Sequence, residues 1–295
     1  MNPRFGEVVV AMVTPFDDDL ALDLDAAAAL ARWLVGEGAD GLVLAGTTGE
    51  APTLTDEEKL DLFRAVREAV DVPLLAGTGS FDTRHTIELT RAAATTGVEG
   101  FLIVSPYYSK PSQAGIEAHY RAVGEATDLP FLAYDVPGRT GRRVDTDVLL
   151  RLAHEVPTMV GLKDATGDPQ AAARLVAEAP SDFDLYSGDD GFTLPLLAVG
   201  ATGVVGVAAH WSAPEHRALF DAWSKGDVDE ARRINATLLE SFDYEVGPDA
   251  THAASTKAML RTLGLPVGEC RLPVGPAPAG LEDRARGVYS RLKAA

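Results

Sequence analysis

The sequence predicts a closed parallel (β/α)8 barrel with a C-terminal helical appendage, and three observations carry that expectation. Eight short, continuous apolar runs recur between residues 8 and 207, the pattern of strands buried on both faces of a parallel sheet. A segment of helical, amphipathic period follows each run. The first run leads into Thr14-Pro15-Phe16-Asp17-Asp18-Asp19, not into the glycine-rich phosphate loop that the alternative, an open doubly wound sheet, would usually carry there.

In chain order, the first strand falls on residues 8–13 and a helical pattern follows over 25–36. The next strands, 41–45 and 73–77, enclose a helix near 56–69. A helix near 83–96 leads to the strand 100–104, and one near 113–126 leads to 131–134. The sixth strand, 159–163, follows a helix near 146–154; the seventh, 183–187, follows 169–178; the eighth, 203–207, follows 191–199. A last helix near 214–224 closes a barrel unit of residues 1–224. Beyond it the strands stop. Helical stretches near 227–244, 251–263 and 281–293 make residues 225–295 a helical region, separated by loops such as Gly264-Leu265-Pro266-Val267-Gly268. That region serves assembly, acts as a lid or simply covers apolar barrel surface; the sequence leaves these open.

Composition narrows the function classes. A chain of 295 residues with 46% apolar residues can bury one large core or two ordinary ones. Its net charge of -18 disfavours nucleic acid and anionic membrane surfaces, and the basic pairs Arg142-Arg143 and Arg232-Arg233 are too short to offset it. No apolar run approaches the roughly 20 residues of a membrane span, and the N-terminal stretch Met1–Glu7 lacks the pattern of an export signal, so a cytoplasmic location is expected. Cys270 is alone and cannot form an intrachain disulfide, which fits a reducing compartment. No His or Cys pair has metal-ligand spacing, so no structural metal is expected. The six histidines read as surface or internally satisfied residues.

Among six lysines, Lys163 stands apart. It ends the apolar run Met159-Val160-Gly161-Leu162, while Lys59, Lys110, Lys225, Lys257 and Lys293 fall in polar or helical contexts where water is expected to solvate them. An ammonium against apolar surroundings loses hydration, so the neutral amine, the nucleophile toward a carbonyl, is favoured. The alternative is a lysine whose stem packs in the core while its head meets a carboxylate such as Asp164. In a (β/α)8 barrel the reacting groups gather at the carboxyl ends of the strands. Those ends here include Gly46-Thr47-Thr48-Gly49-Glu50, Ser105-Pro106-Tyr107-Tyr108, Tyr134-Asp135-Val136-Pro137-Gly138-Arg139-Thr140 and Ser187-Gly188-Asp189-Asp190. One amine, several hydroxyls, an arginine and glycines that let main-chain donors approach a ligand suit imine chemistry on a small oxo-acid.

Three of these motifs, the Thr47 and Tyr134 stretches and Gly161-Leu162-Lys163-Asp164-Ala165-Thr166-Gly167, occur together. In them the whole chain resembles the pyruvate-dependent class I lyases, the family of dihydrodipicolinate synthase and N-acetylneuraminate lyase. The resemblance implies that Lys163 forms a Schiff base with pyruvate and that Tyr134 is the general acid/base. It implies that Thr47 passes protons between Tyr134 and Tyr108, which reaches into the site of a partner subunit. Thr48 and the main chain at Val205 would hold pyruvate, Arg139 would meet the second substrate's carboxylate, and the backbone at Gly188 would lie near the imine. No cofactor is implied. Within the family, Thr47-Thr48 and Arg139 favour synthesis from pyruvate and aspartate semialdehyde over cleavage of a polyhydroxylated sialic acid, since arginine is a fork for a carboxylate. Aldolases for 2-keto-3-deoxy sugar acids share the lysine and tyrosine and remain open; an inactive sensor or scaffold is disfavoured because both residues are present. A homotetramer built as a dimer of dimers is implied. Asp135 departs from the family's frequent Asn. At the positions where lysine-sensitive relatives bind the amino acid, Ala51, Asp56, Phe81 and His85 are poor ligands, so insensitivity to lysine is expected.

Overall fold

A computed structural model describes residues 3–247 and 250–294. Met1 and Asn2, which begin the stretch read for an export signal, lie outside the described residues, as do Pro248, Asp249 and Ala295 of the helical region. Eight parallel strands close on themselves in sequence order: β1 (Val8–Ala11), β2 (Gly41–Leu44), β3 (Leu74–Gly77), β4 (Gly100–Val104), β5 (Phe131–Asp135), β6 (Met159–Asp164), β7 (Asp184–Ser187) and β8 (Gly203–Gly206). This is the (β/α)8 barrel that the apolar runs predict, with β8 pairing back onto β1 through Val9 and Val205.

Pleating explains why each run is apolar throughout. Along β1, Val8 and Val10 face the helix layer, while Val9 and Ala11 fill the barrel interior beside Val43, Leu75, Leu102, Leu132 and Val205. Both faces are dry, so neither needs polar residues. Phe5 and Tyr186 belong to the interior cluster, and the Phe5 N–H donates to the Tyr186 hydroxyl at 3.2 Å.

Helices α1 (Leu24–Gly36), α2 (Asp56–Ala69), α3 (Thr83–Ala93) and α4 (Gln113–Gly124) follow the first four strands. α5 (Pro137–Thr140) and α6 (Thr146–Glu155) follow β5, then come α7 (Pro169–Glu178), α8 (Thr193–Leu197) and α9 (Ala209–Ser224). Side-chain caps start many of them. At α2, the Thr55 hydroxyl accepts from Glu58 N–H and the Glu58 carboxylate accepts from Thr55 N–H, satisfying two otherwise unpaired donors. The C-terminal helices α10 (Val228–Glu245), α11 (His252–Thr262) and α12 (Leu281–Ala294) share an apolar cluster with Trp211, Leu219 and Ala222 of α9.

Several elements depart from the sequence reading. α9 begins at Ala209, not near 214, and its non-helical Ser212 marks a kink two residues before Pro214. Proline suits the first turn of a helix, so the sequence reading starts this one at Pro214 and leaves out the turn before it. The helix expected near 191–199 is a 3-10 turn, Asp190–Phe192, followed by the short α8. α5 has four residues, too few to display a period, and was not anticipated. Lys257 is the largest correction, because the residue expected in water is 0% exposed. Its helix is covered on most sides, Ala253–Leu260 all being buried, and its charge is met internally by Glu50. Lys59 is also buried, its head 3.5 Å from Asp56.

Candidate active site

The strand-end residues converge on the carboxyl face of the barrel. Tyr134 and Lys163 occupy matching register positions on β5 and β6. Alternation along β5 sends Phe131 and Ala133 outward and Leu132 and Tyr134 inward. On β6 Leu162 faces the helices, so Lys163, the next residue, points inward. Its Nζ lies 4.4 Å from the centre of the Tyr134 ring. Asp164 does not take the lysine head; it accepts from the Thr166 N–H at 2.8 Å.

Burial shapes both groups. Lys163 is 5% exposed, and desolvation lowers its pKa from the ordinary 10.5 to about 8, against the opposing pull of Asp190; Arg139 lowers it further. About a tenth of it is therefore neutral amine at pH 7, far more than for a lysine at 10.5. The Tyr134 phenol is pushed up to about 12 by burial, with Arg139 and the Thr47 hydroxyl partly offsetting the rise. It stays protonated at pH 7 and can donate.

A cavity of about 710 Å³ opens against Tyr134, with Thr47, Thr78, Tyr107, Arg139 and Thr140 also among its walls; Lys163 lies behind Tyr134 and does not line it. Arg139 is exposed on α5, where the main-chain turn after Val136 holds it at the cavity. Gly188 closes on the lysine stem. A Cβ there would lie 2.9 Å from the Lys163 Cγ and 3.0 Å from the Asp164 carbonyl, so only glycine lets this backbone approach. Val205 sits in the same interior cluster as Tyr134. Thr48 is buried in the turn after β2 and does not line the cavity. Tyr108 is not brought to the site of its own chain. It is 92% exposed at φ 69, and Tyr107 lines the cavity in its stead.

Sequence reasoning missed an acidic network near the lysine. Asp190, 1% exposed, accepts from Val207 N–H at 2.7 Å and lies 3.2 Å from His216 Nε2. Burial pushes its carboxyl up, but these partners more than offset that and hold it below the usual range. Burial drives Glu245 well above the carboxylate range. The doubled acid Asp189-Asp190 was the available signal; His216 and Glu245 come from distant helices and gave none. Asp135 is also fully buried, and desolvation raises it to about 7, well above the usual carboxylate range.

The far wall of the cavity carries Ala51, Asp56, Phe81 and His85. Asp56 already contacts His85 Nε2 at 2.7 Å and Lys59 at 3.5 Å, and Phe81 packs edge-on to Tyr107. Among the described residues, no cluster of His, Cys, Asp and Glu is arranged to hold a metal ion, and no helix is long and apolar enough to cross a membrane.

A closed eight-stranded barrel with a cavity of mixed polar and apolar walls at the carboxyl ends of its strands defines the class, a (β/α)8-barrel enzyme. Comparison with known proteins narrows it. Residues 4–290 match the model of the dihydrodipicolinate synthetase family. The 4-hydroxy-tetrahydrodipicolinate synthase of Acidothermus cellulolyticus is 49% identical over 284 residues, covering 96% of this chain and 91% of that protein. Its counterpart from Corynebacterium aurimucosum is 50% identical over 277 residues, 93% and 90% of the two chains. The crystal structure of the Cyanidioschyzon merolae enzyme with lysine bound superposes with a TM-score of 0.96 at 40% identity, over 99% of each chain. This chain therefore belongs to the dihydrodipicolinate synthetase family.

Proposed function

We propose that the enzyme condenses pyruvate with aspartate semialdehyde to 4-hydroxy-tetrahydrodipicolinate, the step that opens diaminopimelate and lysine biosynthesis, through a Schiff base on Lys163. The observation that carries this reading is a buried amine, 5% exposed, held 4.4 Å over the ring of a buried tyrosine. The Lys163 amine adds to the keto carbon of pyruvate, and water leaves as the iminium forms. The iminium acidifies the neighbouring methyl group, and loss of a proton gives an enamine whose carbon attacks the aldehyde. Tyr134 moves protons at these steps, with Thr47 as relay. Thr48 and the main chain at Val205 hold the pyruvate carboxylate, and the backbone at Gly188 lies beside the imine. The amine of the second substrate then displaces Lys163 from the imine carbon, which closes the ring and frees the enzyme.

Arg139 favours this partner over a sugar. It is an exposed guanidinium on the cavity wall, suited to a carboxylate, while a polyhydroxylated chain needs neutral contacts. On this reading the enzyme works in the cytoplasm as a homotetramer made of two dimers, with Tyr108 of each chain crossing into its dimer partner's site. Its exposure and left-handed backbone support that role. Lysine binds weakly or not at all, since Asp56, the carboxylate on the far wall, is already engaged by His85 and Lys59. A coupled assay offering pyruvate with aspartate semialdehyde, N-acetylmannosamine or glyceraldehyde tests the assignment. Preference for either of the last two would overturn it.

A further inference from the structure

The turn that carries Thr47 and Thr48 is held from the far end of the chain. Glu50 closes that turn. Its N–H donates to the Thr47 carbonyl at 3.1 Å, and Ala51 N–H donates to the Gly46 carbonyl at 3.1 Å. Glu50 is a non-glycine residue at φ 56, a conformation that persists only where the surroundings impose it. The surroundings are specific. Glu50 Oε1 lies 2.8 Å from Lys257 Nζ, the two side chains being 1% and 0% exposed. Glu50 Oε2 accepts from Arg271 N–H at 2.9 Å.

Both partners are themselves fixed. Lys257 Nζ donates to the Glu269 carbonyl at 2.9 Å and sits 4.1 Å from the centre of the Phe16 ring. The Arg271 guanidinium lies 4.2 Å from the same ring and donates to the Thr53 carbonyl and the Glu58 carboxylate. Thr14 fixes the neighbouring residue, its hydroxyl donating to the Gly49 carbonyl at 2.6 Å. Neither Lys257 nor Arg271 lines the cavity.

A buried ion pair is poor evidence for stability, since apolar packing of similar volume often does as well. What the pair supplies and apolar packing would not is direction. It aims the Glu50 carboxylate at two points and so fixes the turn two and three residues earlier. We propose that Glu50, gripped by Lys257 and Arg271, is a positioning residue for Thr47 and Thr48, so that segment 257–271 of the helical region acts on the reaction without touching substrate. The inference rests on the proposed roles of Thr47 as proton relay and Thr48 as pyruvate ligand.

The test is the double variant Glu50→Gln with Lys257→Met. It removes both charges together, leaving no buried charge unpaired, and the amide oxygen can still accept from Arg271 N–H. Well below its melting temperature, KM for pyruvate should rise about tenfold and kcat should fall about tenfold, as slight misplacement of reacting groups predicts. A purely structural pair would lower the melting temperature and leave both constants within about twofold of the parent's; that result overturns the inference. Should the double variant fail to fold, Lys257→Arg, which keeps the charge but moves it, is read by the same two constants and the same criterion. The parent is treated alongside with pyruvate and borohydride. A parent without an adduct on Lys163 fails the functional reading and takes the inference with it; an adduct in the parent with unchanged constants in the variant fails the inference alone.

Discussion

Lys163 Nζ sits over the face of the Tyr134 ring, 4.4 Å from its centre, because the two residues are register partners on neighbouring strands whose side chains turn inward together. The barrel, and no loop, sets this pairing. Tyr134→Phe keeps the ring and the packing while removing the phenolic proton. Turnover should fall about 10²–10⁴-fold, the usual range for a lost general acid/base, while borohydride still traps pyruvate on Lys163. Steady-state kinetics beside trapping checks this, and near-parent turnover would refute the role.

On the proposed mechanism Arg139 meets the carboxylate of the aldehyde substrate, and its guanidinium also bears on the two buried groups behind it. Arg139→Ala should raise KM for aspartate semialdehyde by about tenfold or more, the effect of a lost charge-assisted contact, and leave KM for pyruvate near the parent's. The guanidinium lowers the pKa of both Lys163 and Tyr134. Without it the pH profile of adduct formation should move to higher pH; a shift to lower pH would contradict the geometry.

Tyr108 is exposed in the single chain, and its role requires a second one. Lys163→Ala and Tyr108→Phe should each be inactive alone. Mixed under conditions of subunit exchange, they should regain part of the activity through hybrid dimers with one intact site. Exchange shown by mass, with no activity regained, would return Tyr108 to its own chain.

The buried amine of Lys163 should also cost stability. Folded Lys163 binds its proton less tightly than the unfolded chain, at about 8 against 10.5. Below pH 8 the ammonium is present in both states and the full penalty, about 3 kcal/mol, falls on the native state. Between pH 8 and 10.5 the native protein sheds the proton first and the penalty fades; above 10.5 it is gone. Lys163→Met should therefore be more stable than the parent at pH 7, by up to about 3 kcal/mol, with the gap closing toward pH 10.5. Denaturant unfolding at several pH values measures it, and a variant less stable at pH 7 would argue against burial as the cause of the low pKa.

What the sequence showed depended on how local the signal was. The strands were readable because parallel strands buried on both faces are continuously apolar, and Lys163 stood out as the charge that ends one of them. α5 and the kinked start of α9 were not, because four residues show no period and Pro214 looks like a beginning. Lys257 was misread for a related reason. A helix covered nearly all round and a partner 207 positions away in the sequence leave no local trace of an ion pair with Glu50. The link between Asp190 and His216 was hidden in the same way. Tyr108's role came from family resemblance, and the single chain adds only its exposure.

The most direct test of the account is reduction of the imine. Incubated with pyruvate and borohydride, the enzyme should gain one reduced three-carbon unit per chain, and peptide mapping should find it on Lys163, with adduct formation rising as pH passes through about 8. Lys163→Ala should take up none. An adduct on Lys257 or another lysine, or none from a preparation that turns over, would contradict the Schiff-base mechanism.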